Sequence, residues 1–399
     1  LTGNPELVRH IKDIALSYDK LGHTLVFVSH ELELPPEVRR YSARFSLALP
    51  GDAQLAAIVR EEIRDWMKDN VGTRPNMNAD ILKKLIANLK GVTAQVARRL
   101  IRGAIRDDGA ITDSDLPEVS RAKYQLIDMQ GVLSFEYDTE RFSSVGGLHR
   151  LKQWLTQRRQ LFLNTESASN DRPKGVMLLG IQGGGKSLAA KAVAGLWGVP
   201  LLRLDMAALY NKFIGETEKN LRKSLEQAEL MSPCVLWIDE IEKGLSTSSD
   251  DGTSQRILGT LLTWMAERSS SVFVVATSND VSQLPPELMR KGRMDEIFFV
   301  DLPDATIRED IFAIHLNKRN FDPAKFRINE LSLLSEGFSG AEIEQAVVAA
   351  RYSASAQRQP LATEHIIEHI ENTYPLSVVM AEKINQLRLW AADRTVSAN

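Results

Sequence analysis

Continuous apolar runs of four or five residues recur from residue 175 onward and break the polar background at intervals. Gly175-Val-Met-Leu-Leu-Gly180, Cys234-Val-Leu-Trp-Ile-Asp239, Val272-Phe-Val-Val-Ala-Thr-Ser-Asn279 and Ile297-Phe-Phe-Val300 are of this kind. Such runs are too short for buried helices and lack the alternation of a sheet with one wet face. They predict strands buried on both faces. Between them lie stretches rich in strong helix formers, notably Leu188–Ala194 and Glu218–Met231. Strand and helix in alternation predict an α/β fold, with parallel strands sandwiched between helices. In the first half, Ala56–Asp69 predicts a weaker helix.

The polar residues at the ends of these strands carry the chemistry. Gly180-Ile-Gln-Gly-Gly-Gly185-Lys186-Ser187 has the spacing G-x-x-x-x-G-K-[ST], between a strand and a helix. Glycines at 180, 183, 184 and 185 let backbone N–H groups turn inward on a polyphosphate, and the helix N-terminus adds its dipole. Lys186 is expected on the outer phosphates, and Ser187 on Mg²⁺. The strand at 234–239 ends in two acids. Asp239 is a hard oxygen donor suited to Mg²⁺, and Glu240 is placed to activate water. Asn279 ends the next strand and is expected to orient that water. Arg290 and Arg293 flank a glycine after Pro285-Pro286 and are candidates to complete a neighbouring subunit's site, a contribution of about 10³–10⁵ in rate.

Composition removes competing readings. The chain has 399 residues with net charge −3, so no global basic field argues for nucleic acid. Its 43% apolar and 25% charged residues are ordinary for a globular protein of two or three domains. No apolar run reaches a membrane span. The single cysteine, Cys234, excludes an intramolecular disulfide and suits a reducing compartment, so a cytoplasmic setting is expected. The first residue is leucine, which leaves room for upstream residues.

From Val145-Gly-Gly-Leu148 to Tyr374 the motifs and their order resemble the AAA ATPases. The resemblance implies a P-loop AAA+ core and a helical lid, Mg²⁺-dependent ATP hydrolysis, and a homo-oligomeric ring, most simply a hexamer. It implies that Val145, Gly146, His315, Gly340 and Ala341 frame adenine and ribose. Lys212-Phe213-Ile214-Gly215 stands where protein-remodelling members carry a channel-facing loop, and the Ser/Thr-rich stretch 245–254 would form a second one. The segment Cys234–Leu245, together with the phosphate loop, is similar to the hypothetical plastid-frame AAA proteins of cyanobacteria, plastids and other bacteria.

An internal echo sets the domain plan. Thr24–Val38 and Phe45–Asp52 echo 271–288 and 297–304, and Gly91–Val96 echoes 337–343. The expected organisation is a degenerate AAA-like half module with a helical lid over 1–130, a core over 131–303, a lid over 304–374 and a C-terminal helix over 375–399. The link between modules is expected near 128–144. The half module lacks a phosphate loop and an acidic strand, so a structural or partner-binding role is expected. His365-Ile-Ile-Glu368-His369 has the H-x-x-E-H spacing of zinc peptidases but no third ligand in reach, and reads as a packed lid helix with Ile366, Ile367 and Ile370 inward. Three functions follow: a remodeller threading a protein substrate, a nucleotide-switched scaffold with slow turnover, and, least favoured, a nucleic-acid remodeller.

Overall fold

A computed structural model describes residues 4–17, 24–28, 34–43, 45, 49–70, 79–105, 111–112, 115–126, 132–137, 144–163, 172–210, 217–245, 253–290 and 292–399. The chain divides into two compact units, Leu1–Leu49 and Pro50–Asn399.

In the first unit, helix α1 (Pro5–Leu16) starts at Asn4, whose side chain accepts from the N–H groups of Glu6 and Leu7, and α2 (Pro36–Arg39) follows the two prolines. Ile11 and Val38 are buried. Residues 24–28, expected as a strand, form none, and Val26 and Val28 are 78% and 93% exposed. A strand forms only against a neighbour that takes its backbone hydrogen bonds, and none of the described residues pairs with this one. The expected strand from Phe45 lies partly outside the described residues.

The second unit opens with four helices, α3 (Asp52–Asp69), α4 (Ala79–Leu89), α5 (Ala94–Ile105) and α6 (Leu116–Leu126). Leu55, Val59, Leu85, Leu89, Ile101 and Val119 form their common core. Buried Glu62 on α3 is neutralised by Arg102 on α5, with Nε 2.5 Å from its carboxylate.

The sheet then begins. Strands β1 (Leu133–Glu136), β2 (Gly175–Gly180), β3 (Leu201–Asp205), β4 (Cys234–Asp239), β5 (Val272–Ser278), β6 (Glu296–Val300) and β7 (Val396–Ser397) lie in the order β1-β3-β4-β5-β2-β6-β7. Only β1 is antiparallel, pairing with β3. The segment near 128–144, expected as the link between modules, therefore contributes an edge strand. All residues of β2 and β5 are buried, as continuous apolar runs require. One face packs on α10 (Thr217–Leu230) and α12 (Thr253–Glu267), the other on α7 (His149–Leu163) and α8 (Lys186–Trp197). Short helices α9 (Met206–Tyr210) and α11 (Glu242–Leu245) follow β3 and β4.

The lid consists of α13 (Ala305–Asn317), α14 (Ile328–Leu334), α15 (Gly340–Ala356) and α16 (Thr363–Glu371) around Phe312, Leu331, Ile343, Val347 and Ile366. Ser339 starts α15 with a capping box, its hydroxyl facing the N–H of Glu342 while Glu342 accepts from the Ser339 N–H. In α16, Ile366 and Ile370 are buried and Ile367 partly so. His365 and His369 bond to Gln357 and Ser353, and among the described residues no three His, Cys, Asp or Glu side chains gather as metal ligands.

The C-terminal segment is more than the expected helix. After α17 (Leu376–Val379) and α18 (Ala381–Ala392), β7 joins the open edge of β6 in parallel register. The edge offers unpaired backbone groups, and Ala398 N–H takes one of them, the Phe299 carbonyl, at 2.9 Å. Among the described residues no helix is long and apolar enough to cross a membrane.

Candidate nucleotide-binding site

The carboxyl ends of the central parallel strands, where an open α/β sheet binds its ligands, face the lid across a cavity of about 490 Å³. Ser144, Val145 and Gly146 form one wall. Residues 182–188 form the floor. Asp239, Glu240, Thr277 and Asn279 close one end, and Ile311, Ile314, His315, Gly340, Ala341 and Glu344 form the lid side.

The floor is a cradle that side chains would spoil. Gly183 has φ +76°, and a Cβ there would lie 2.8 Å from Ser339 Oγ at the start of α15. Gly185 has φ +93°, immediately before the first turn of α8. Both angles favour glycine, and a backbone of this kind can form an anion-binding concavity. Gly180 ends β2 outside the cavity lining, and its carbonyl accepts from Lys186 Nζ at 2.9 Å, as does that of Ile181 at 2.8 Å. The Lys186 ammonium is thus folded onto the loop. Burial pulls its pKa down to about 8, against the opposing pull of Glu242, Asp239 and Glu240.

The acidic end is a hydrogen-bonded network. Asp239 Oδ1 accepts from Thr277 Oγ1 at 2.8 Å and Oδ2 from Arg203 Nη2 at 3.0 Å. The Arg203 guanidinium stacks over Trp237, its carbon 4.9 Å from the ring centre. Glu240 has φ +47°, held by its own N–H donating to Thr277 Oγ1 at 3.1 Å. Asn279 Nδ2 donates to Glu240 Oε1 at 3.1 Å, while the Asn279 N–H donates to buried Glu242 at 2.9 Å. Asn279 is therefore positioned through both backbone and side chain.

On the lid side His315 Nδ1 lies 3.4 Å from Glu344, which also accepts from Arg319 at 2.8 Å. Burial lowers the His315 pKa against the opposing pull of Glu344, and Arg319 and Lys318 lower it further, which favours the neutral ring. Gly146 packs against Ile311 of α13, and a Cβ there would lie 2.7 Å from its Cγ1. The neighbouring loop is tied down from far along the chain, because Leu148 N–H donates to Asn399 Oδ1 at 2.5 Å.

The structure thus gathers Val145, Gly146, Gly183, Gly184, Gly185, Lys186, Ser187, Asp239, Glu240, Asn279, His315, Gly340 and Ala341 around one cavity. Arg290 and Arg293 are not part of its lining. Arg290 ends the short helix Pro286–Met289 and is exposed, and Arg293 donates to the Glu287 carbonyl. Lys212, Phe213, Ile214 and Gly215, with most of the Ser/Thr-rich stretch, lie outside the described residues. Sequence reasoning missed Thr277, Arg203, Glu242 and Glu344. Thr277 had a signal, since it stands two residues before Asn279 and so shares its strand face. Arg203 had none, because β3 meets β4 only through the sheet.

A divalent metal fits this donor set. The Ser187 hydroxyl and the Asp239 carboxylate are hard oxygens facing the same cavity, and the Thr277 and Arg203 contacts fix the carboxylate. The cradle fits a polyphosphate.

Comparison with known proteins agrees with the geometry. The model of the ATPase family associated with various cellular activities (AAA) matches residues 176–302, and that of the SpoVK-like AAA ATPase second domain matches residues 53–130. The chain is 38% identical over 392 residues to the AAA domain-containing protein ycf46 of Pyropia yezoensis, covering 97% of this chain and 78% of that one. It is 38% identical over 191 residues to the proteasome-activating nucleotidase of Aeropyrum pernix, 46% of each chain. The solved FIGL-1 AAA domain superposes with a TM-score of 0.56 at 22% identity, over 68% of this chain and 95% of that one, a likeness of fold. The chain accordingly belongs to the AAA domain-containing proteins of the ycf46 type and is an ATP-hydrolysing enzyme.

Proposed function

We propose that this ATPase is magnesium-dependent, works as a closed ring, most simply a hexamer, and couples hydrolysis to the remodelling or threading of a protein substrate. The observation that carries the catalytic part is the convergence of the glycine cradle, Lys186, Asp239, Glu240 and Asn279 on one cavity under the lid. The cradle amides and Lys186 bind the phosphates. Ser187 and Asp239 would hold the magnesium ion, which supplies charge neutralisation on the phosphate oxygens. Glu240 accepts the proton of the attacking water, and Asn279 orients that water. Val145, Gly146, His315, Gly340 and Ala341 frame the nucleoside, so closure of the lid follows its presence. Arg290 and Arg293, outside the chain's own cavity, act on a neighbour's nucleotide. That role requires a head-to-tail interface, which closes into a ring.

A protein substrate is favoured over nucleic acid by the net charge of −3. It is also supported by the relative named as a nucleotidase that activates the proteasome. Lys212-Phe213-Ile214-Gly215 is the proposed channel loop, gripping an extended chain through a flat aromatic surface. The test is Phe213→Ala. A remodeller loses ATP-driven unfolding of a protein substrate and keeps ATP hydrolysis. Unfolding at the wild-type rate in that variant would remove the threading role and leave a nucleotide-switched scaffold. The four-helix group from Asp52 to Leu126, with no phosphate loop of its own, is proposed as a structural or partner-binding module.

A further inference from the structure

Glu240 is gripped from two sides. Its Oε1 accepts from Asn279 Nδ2 at 3.1 Å, and its Oε2 is ion-paired with the ammonium of Lys243, three residues further on. Asn279 lines the cavity, whereas Lys243 does not, and the Lys243 side chain is 58% exposed. The backbone of the turn is fixed separately. Glu240 N–H donates to Thr277 Oγ1 at 3.1 Å, and Lys243 N–H donates to the Glu240 carbonyl at 2.9 Å. Only side-chain rotation is needed to part the two charges.

In hydrolysis the water oxygen bonds to the γ-phosphorus, the bond from that phosphorus to the bridging oxygen breaks, ADP departs, and the water's proton passes to the base. A carboxylate oxygen paired with an ammonium is a weaker proton acceptor, and the pair fixes the direction in which it points. We propose that Lys243 is a latch on Glu240: a positioning residue that holds the carboxylate in a resting geometry and must let go of Oε2 before water is activated. The inference rests on Glu240 being the base. It adds a brake to the site that needs no lid movement and is reachable from solvent.

An exposed pair of this kind biases an equilibrium by about two- to five-fold. The test is steady-state ATPase kinetics of the full chain with Lys243→Met, Lys243→Arg and Glu240→Gln, alongside the dissociation constant of a fluorescent ATP analogue for each. Lys243→Met is expected to raise kcat about two- to five-fold with KM and the analogue's affinity unchanged, and Lys243→Arg to return kcat to the wild-type value. An unchanged or lower kcat in Lys243→Met overturns the latch, as does a kcat gain accompanied by a changed analogue affinity. Glu240→Gln separates the two claims. Wild-type turnover in that variant removes the base assignment itself, whereas a dead Glu240→Gln beside an unaltered Lys243→Met removes the latch alone.

Discussion

Lys186 sits in the cavity floor as a buried ammonium with two backbone carbonyls for company and a pKa pulled to about 8 from 10.5. Burying that charge costs stability, and the unfolded chain holds its proton to higher pH. Between pH 8 and 10.5 the unfolded state binds more protons, so the contribution of Lys186 makes the protein more stable as pH rises across that window. Nucleotide affinity moves the other way, because the phosphates need the ammonium. Thermal melts and titrations with an ATP analogue from pH 7 to about 10 are expected to show these opposite slopes, both flattened in Lys186→Met. Lys186→Ala is expected to lose nucleotide binding, read by calorimetry, and tight binding there would refute the cradle. Glu240→Gln is expected to bind ATP normally and turn over about 10²–10⁴-fold more slowly. These residues were legible in the sequence because each belongs to a local pattern, a loop or a strand end. Arg203 and Glu344 were not, because their places depend on which strands and lid helices become neighbours.

Among the elements, the four-helix group meets the ATPase core through α6, where Tyr124 packs on Phe135 and donates to the Leu133 carbonyl, and Lys123 reaches further in. Lys123 is 1% exposed, and its Nζ donates to the carbonyls of Lys90, just past α4, and Leu230, the last residue of α10, at 2.5 and 2.6 Å. A cation at helix C-termini answers the carbonyls that the helices leave unpaired. Lys123→Ala would strand two buried carbonyls, at a cost of about 1–3 kcal/mol, measured by urea denaturation. Hydrogen exchange should then quicken at the end of α10, and no change there would refute the docking. The strands at 175, 234, 272 and 297 were readable because buried parallel strands are continuous apolar runs. Strand β7 was not, since Val396-Ser397 has no apolar run and is a strand only because β6 has an edge to fill. The reverse holds at 24–28, where a strand-like sequence has no partner among the described residues and stays irregular.

For the molecule as a whole, the proposed ring would make activity a collective property, since Arg290 and Arg293 lie outside the chain's own cavity. Specific ATPase activity is expected to rise with protein concentration as a ring assembles, with light scattering reporting the mass. Arg293→Ala and Glu240→Gln, each inactive alone, should recover turnover when mixed, because finger and base then come from different chains. No recovery would confine the site to one subunit. The proposed ring has little local signature in the sequence beyond the two arginines. The bond between Leu148 N–H and Asn399, which joins positions 251 apart, has none. That bond orders events during synthesis. The phosphate cradle at 180–187 leaves the ribosome some two hundred residues before Asn399 does. In a nascent chain the glycine cradle is therefore made long before the loop at Val145–Leu148 can be anchored. The wall of the cavity at Val145 and Gly146 thus takes its final anchor only once residue 399 has been made.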